Sequence, residues 1–209
     1  MAKDKTRSVV QKEIDRIQEK GMLVEIKRVS PTFYTFKFNF EIIKYHRQRV
    51  GRFTQYDPLG KYKKLVEELI IRTMQEQGIE IGEKNWTAPF RILIECCTLP
   101  KKGSGSKRSL LYKILGFIKR AIYPDLDNLA KTPMDIMNNV VWYDDAQAYE
   151  LTIRKKYGLE EYTYIEVLFD PVDPALTTGR LTPEEVTKYA DLLGEINQKI
   201  WNQKGQPHA

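Results

Sequence analysis

The chain has 209 residues, 42% hydrophobic and 30% charged, with a formal net charge of +6. That is enough sequence for one well-buried core, and the composition excludes a disordered or collagen-like chain. No apolar run approaches the roughly 20 residues of a membrane span, and residues 1–20 are too polar for a signal peptide, so a cytoplasmic protein is expected. The basic surplus favours an anionic partner. The only cysteines, Cys96 and Cys97, are adjacent, which suits two reduced thiols on a buried strand and offers no spaced set for zinc.

In chain order, Val9, Val10, Ile14 and Ile17 predict a helix over 5–20 with a stop at Gly21. Its apolar stripe is narrow and predicts a loosely seated element. Residues 22–43, with Tyr34, Phe36, Phe38 and Phe40 alternating with Phe33, Thr35, Lys37 and Asn39, predict a strand. Lys44 to Arg52 reads as a basic connection. Asp57-Pro58 opens a helix to about Gln77 whose apolar side carries Tyr62, Leu65, Val66, Leu69, Ile70 and Met74. Residues 89–98 form the next strand, 100–109 a Gly/Ser/Lys loop, and 110–120 a short helix.

The densest stretch is 121–158. A turn at Tyr123-Pro124 leads into a helix over Leu126–Met137, stopped by Asn138-Asn139. Pro133 inside that helix predicts an early end or a kink. Strands over 146–157 and 162–169 are joined at Gly158 and predict a β-hairpin. Residues 171–181 read as a linker. Thr182, Pro183 and two glutamates then start an amphipathic helix bearing Val186, Ala190, Leu193, Ile196 and Ile200. The expected organisation is an N-terminal helical extension (1–21), a main domain (22–170), and a linker with a C-terminal helix (171–209).

Chemistry concentrates in the acids of 121–158. Asp125 and Asp127 sit two apart where an extended chain enters a helix, so their carboxylates share a side. Like charges repel, and a hard divalent cation relieves the conflict. Lys131 follows Asp127 by four residues on the same helix face. Of Asp144 and Asp145, adjacent before a strand, only one easily faces that site. Metal held by carboxylates suits phosphoryl transfer. The two histidines, His46 and His208, supply no nucleophile triad, and no GxxxxGK[ST] or GxGxxG loop for a nucleotide is present. By spacing alone, the same acids also fit a helix cap and a surface turn.

Pro124-Asp125-Leu126-Asp127-Asn128-Leu129, with Lys131, resembles the PDxDNLxK signature of the RusA family of Holliday junction resolvases. Asn138 to Gln147 (NNVVWYDDAQ) resembles its second signature. Thr152 to Gly158 resembles its basic strand, and Arg47 to Thr54 (RQRVGRFT) its basic loop. The likeness covers roughly 35–170. It implies an α/β (α+β) fold, a small mixed β-sheet with packed helices, assembled as a homodimer. It also implies an endonuclease, dependent on Mg²⁺ with Mn²⁺ as the alternative ion, that resolves four-way DNA junctions by paired nicks. Asp125, Asp127 and Asp145 match the metal-binding aspartates, and Lys131 matches the family's lysine. A two-fold dimer suits a two-fold substrate. Ala121-Ile122-Tyr123 departs from the basic residues expected before the signature.

Lys101, Lys102, Lys107, Arg108, Lys113, Lys119 and Arg120 fall within a stretch that has no acid, and they are candidate contacts to the DNA backbone. Arg47, Arg49 and Arg52 form a second candidate set. Trp142 and Tyr143 read as core or interface aromatics. The competing readings are a nuclease of the same fold acting on flaps or forks, and a non-catalytic DNA-binding dimer. No membrane or nucleotide partner is expected.

Overall fold

Ser30-Pro31 breaks the first long run of alternating residues, because proline cannot donate to a strand ladder. The computed structural model describes residues 11–12, 14–44, 49–50, 55–57, 59–101, 103–170, 183–188 and 190–196. In it, the single strand expected over 22–43 is two, β1 (Val24–Arg28) and β2 (Phe33–Phe38), paired antiparallel from Val24 opposite Phe38 to Arg28 opposite Tyr34. The basic connection also gains structure: β3 (Arg49–Val50) and β4 (Gln55–Tyr56) pair as a short ribbon.

The remaining elements are α2 (Gly60–Gln77), α3 (Glu83–Trp86), β5 (Phe90–Thr98), α4 (Lys107–Ile114), α5 (Leu126–Met137), β6 (Ala148–Tyr157) and β7 (Tyr162–Phe169). Residues 14–19 are helical and are called α1. Gly78 ends α2 at φ 62°, the left-handed stop that glycine adopts without strain. Helix α4 begins three residues earlier than the apolar pattern predicts. Ser106 is its cap and accepts from the Ser109 amide at 3.2 Å.

The five strands of the main sheet run in the order β1-β2-β7-β5-β6. The expected hairpin of β6 with β7 does not form. β5 lies between them, antiparallel to β7 and parallel to β6. Residues 158–161 cross the end of β5, where the Gly158 amide donates to the Thr98 carbonyl at 3.1 Å. A Cβ at Gly158 would stand 2.5 Å from the Cys97 sulfur, so the crossing requires glycine for closeness rather than for a hairpin turn. The parallel β5–β6 pair needs a long crossover, and residues 99–147, with α4 and α5, are that crossover.

One face of the sheet supplies Phe36, Phe38, Phe90, Ile92, Ile94, Ile165 and Val167, all buried. Against them pack Tyr62, Val66 and Ile70 of α2 and Leu129, Ala130, Ile136 and Met137 of α5. Helix α5 runs on through Pro133 to Met137. Pro133 is buried among these residues, and that packing offsets the lost backbone bond. Trp142 is buried and stacks on Phe90, with ring centroids 4.5 Å apart.

Helix α1 sits more firmly than its narrow stripe predicts. Ile14 and Ile17 are buried in the core, and Arg16 grips Glu161 through two hydrogen bonds of 2.7 and 2.9 Å. The chain forms two compact units, Met1–Pro171 and Val172–Ala209. Within the second, Pro183–Lys188 and Ala190–Ile196 are helical.

Candidate active site

Both acidic segments belong to the crossover between β5 and β6. Asp125 stands at the N-cap of α5 with extended backbone, yet its side chain makes no capping hydrogen bond. Asp127 lies exposed in the first turn, where the helix dipole favours an anion. What holds this segment is Lys155 of β6. Its Nζ donates to the Ile122 and Pro124 carbonyls, 2.8 Å each, tying down the chain immediately before Asp125.

The second pair divides its work. Asp144 caps the single turn Asp145–Gln147: its carboxylate accepts from the Ala146 amide at 2.8 Å, and Gln147 reaches back to accept from the Asp144 amide at 2.8 Å. Gln147 also donates to the Trp86 and Ala88 carbonyls at 3.1 and 2.9 Å, fixing the turn to the body. Asp144 thus serves the fold through one carboxylate oxygen, and its side chain also reaches the Asp145 carboxyl. Burial, then the charges of Asp144 and Asp135, raise the Asp145 carboxyl above its ordinary pKa, and Lys131 opposes the rise. A carboxylate so placed gains from a nearby cation.

Lys131 is 51% exposed and stands 3.8 Å from Asp135 on the next turn of α5. Asp127 lies one turn nearer the N-terminus, about 6 Å along the helix axis from Lys131. Lys131 and Asp135, in the middle of α5, act electrostatically on Asp145, while Asp125 stands at the N-cap and Asp127 in the first turn. Among the described residues no three His, Cys, Asp or Glu side chains are gathered closely enough to share one ion. The donor chemistry nevertheless fits Mg²⁺: carboxylate oxygens, one of them destabilised as an anion, with no thiol or imidazole among them.

The basic candidates separate by environment. Lys101, Lys107, Arg108 and Lys119 are exposed. Arg108 donates to the Tyr112 hydroxyl at 3.0 Å, and Lys113 Nζ is tied to Ser104 by bonds of 2.6 and 3.0 Å. Arg120 must be withdrawn as a DNA contact. It is only 6% exposed, and its guanidinium meets Glu41 at 2.8 Å inside the body. Arg47, Arg52, Lys102 and His46 lie outside the described residues, and only the backbone of Arg49 is described. Tyr143 is exposed, unlike its neighbour Trp142.

A family model for endodeoxyribonuclease RusA matches residues 40–168. The chain belongs to the RusA family. The match begins just after β2 and ends in β7, so it takes in both acidic segments and every element that positions them. A stretch of 62 residues is 32% identical to the uncharacterized protein YqaN of Bacillus subtilis (strain 168), covering 30% of this chain and 44% of that protein.

Lys63 and Asp135 escaped the sequence reading, and Lys155 was read only as part of the basic strand over Thr152 to Gly158. Asp135 carried a signal, since it continues the Asp127, Lys131 stripe at a further four residues. Lys63 carried none, because one of its partners, Asp135, lies far away along the chain.

Proposed function

We propose that this RusA-family chain is a divalent-metal-dependent endonuclease that resolves four-way DNA junctions as a homodimer in the cytoplasm. The observation that carries the reading is the division of labour at the acidic segments. Asp144 caps a turn, whereas Asp125 makes no cap bond and Asp145 bears a raised pKa. Carboxylates that do nothing for the fold are available to a metal. Asp125, Asp127 and Asp145 would hold Mg²⁺, with Mn²⁺ able to replace it. The bound ion supplies charge to the scissile phosphate and lowers the pKa of an attacking water.

Lys131, half exposed beside these acids, would meet the phosphate as a cation. Lys101, Lys107, Arg108 and Lys119 would follow the DNA backbone and set the salt dependence of binding. A two-fold dimer would bring two such sites to opposed strands of one junction.

The test is cleavage of a synthetic four-way junction, with duplex and flap controls, with and without Mg²⁺, for wild type and Asp127→Asn. Symmetric nicks that need the metal and vanish in the variant, with binding kept, are expected. Wild-type binding without cleavage under Mg²⁺ and Mn²⁺ alike would replace this reading with a non-catalytic DNA-binding dimer. Cleavage of flaps alone would move the substrate and leave the chemistry.

A further inference from the structure

Behind Lys131 lies a chain of alternating charges that none of the acidic signatures requires. Lys63 of α2 donates from Nζ to Asp57 Oδ2 and to Asp135 Oδ2, 2.9 Å each. Asp57 is itself fixed, accepting from the Leu59 amide at 2.8 Å where α2 begins. These three side chains are 17–23% exposed. The other oxygen of Asp135 stands 3.8 Å from Lys131 Nζ, too long for a hydrogen bond but well inside Coulomb range. Burial alone would depress Lys63, but its hydrogen bonds to Asp135 and Asp57 hold its pKa above the ordinary value, so it is a cation throughout the neutral range.

We propose that Asp135 is a positioning residue for Lys131, held in place and partly neutralised by Lys63. The inference rests on the nuclease reading above. A lysine followed by an acid four residues on is the weaker orientation of a helical ion pair, so the helix by itself does not fix Lys131. Lys63 supplies the missing constraint. It ties Asp135 to α2, and by sharing the carboxylate charge it keeps the Lys131 contact loose. Lys131 is thereby held beside Asp135 in the middle of α5, short of a tight pair with it. Without Lys63, the half-buried Asp135 carboxylate would lose its partner and draw Lys131 into a tight pair. Without the Asp135 charge, Lys131 would lose that restraint. Either change misplaces one ammonium without removing a metal-binding carboxylate, and Asp135→Asn also relieves the repulsion that Asp135 exerts on Asp145.

The experiment is single-turnover cleavage of a four-way junction by the full chain, with junction affinity measured in parallel without metal. Incubations are long enough to read roughly a 10⁴-fold loss, within the range expected for a catalytic side chain. The variants are Asp135→Asn, Lys63→Met, Lys131→Met and the pairwise combinations with Lys131→Met. Asp135→Asn and Lys63→Met are each expected to slow cleavage about tenfold, the scale of a mild misplacement, with affinity unchanged within about twofold. In the Lys131→Met background neither should slow it by more than about twofold, because their effect passes through the missing ammonium. The same slowing in both backgrounds would overturn the proposal, assigning Asp135 a direct or merely structural role. Wild-type rates in the single variants would overturn it too. A wild type that cuts no branched DNA would instead remove the nuclease reading, and this shows before any variant is compared.

Discussion

Removing the Lys155 ammonium should loosen the acidic motif from outside it. Lys155 Nζ bonds the two carbonyls that flank Tyr123, each at 2.8 Å. A hydrogen bond from a charged donor contributes about 1.5–3 kcal/mol. One of these two is exposed and the other partly buried, so solvent screening brings the pair to about 2 kcal/mol in total. Lys155→Met keeps the aliphatic stem and deletes only the donor. For a chain of this size, about 2 kcal/mol corresponds to a fall in melting temperature of about 4–8 °C. The local effect should be larger than the global one. The released segment carries Asp125 and Asp127, so junction cleavage should fall about tenfold or more while the rest of the sheet keeps its amide protection. Calorimetry, hydrogen exchange across residues 122–128 and single-turnover cleavage check the three parts. A melting temperature within a degree of wild type together with unchanged exchange in that segment would refute the reasoning.

Gly158→Ala should cost about 1–3 kcal/mol, the usual penalty for overpacking, because its methyl meets the buried Cys97 sulfur; Cys97→Ala should restore much of the stability in a double-variant melt. Asp144→Ala should lower stability by about 1 kcal/mol as a missing cap and keep cleavage. Asp145→Asn should abolish cleavage without lowering the melting temperature, since the raised carboxyl pKa means that its charge opposes folding above the ordinary value of 3.8. Burial works to raise the Glu161 pKa, but its hydrogen bonds to Arg16 and Lys20 outweigh it and hold the value below 4.5. Its stabilising effect is therefore full above that value and lost as pH falls through the lower folded one. Hydrogen exchange of α1 should accelerate in that acid range, and Glu161→Gln should remove the pH dependence. Replacing Lys101, Lys102, Lys107 and Arg108 should flatten the salt dependence of junction binding by about 0.9 in log–log slope for each phosphate no longer neutralised; Arg120→Met should leave the slope unchanged.

Elements whose signals are local were legible in the sequence. Helix α5 runs from Leu126 to Met137 as the turn at Tyr123-Pro124 and the Asn138-Asn139 stop predict, and Asn139 takes the left-handed turn at φ 60°. β5 and α2 likewise follow their apolar periods. Pairings between distant parts of the chain were not legible. Gly158 between two strand-like runs looks the same whether the runs pair directly or flank a third strand, and β5 enters from roughly sixty residues away. The start of α4 was hidden because Ser106, its cap, sits among other serines and glycines that signal only a loop. Arg120 reads as one more base in a basic stretch until Glu41, seventy-nine residues earlier, buries it. The site divides the same way. Its aspartates and Lys131 were visible as a motif. The residues that hold them act across the fold: Lys63 looked like an ordinary surface lysine, and Lys155 like one more base of the Thr152 to Gly158 strand.

That division follows from what a site of like charges requires. Carboxylates brought together without a cation destabilise the fold, so stability must come from their surroundings. Here other acids have partners: Asp57 and Asp135 share Lys63, Glu41 meets Arg120, and Asp144 accepts from a backbone amide. Asp125 and Asp145 receive no comparable partner in the bonds that define the turns around them. Had Asp125 capped α5, or Asp145 the turn after it, each would have been bound to the fold before any ion arrived. Leaving them uncapped makes the crossover depend on Lys155 and Gln147 for its position, which is why variants at those two residues should disturb the site more than their own stability costs suggest.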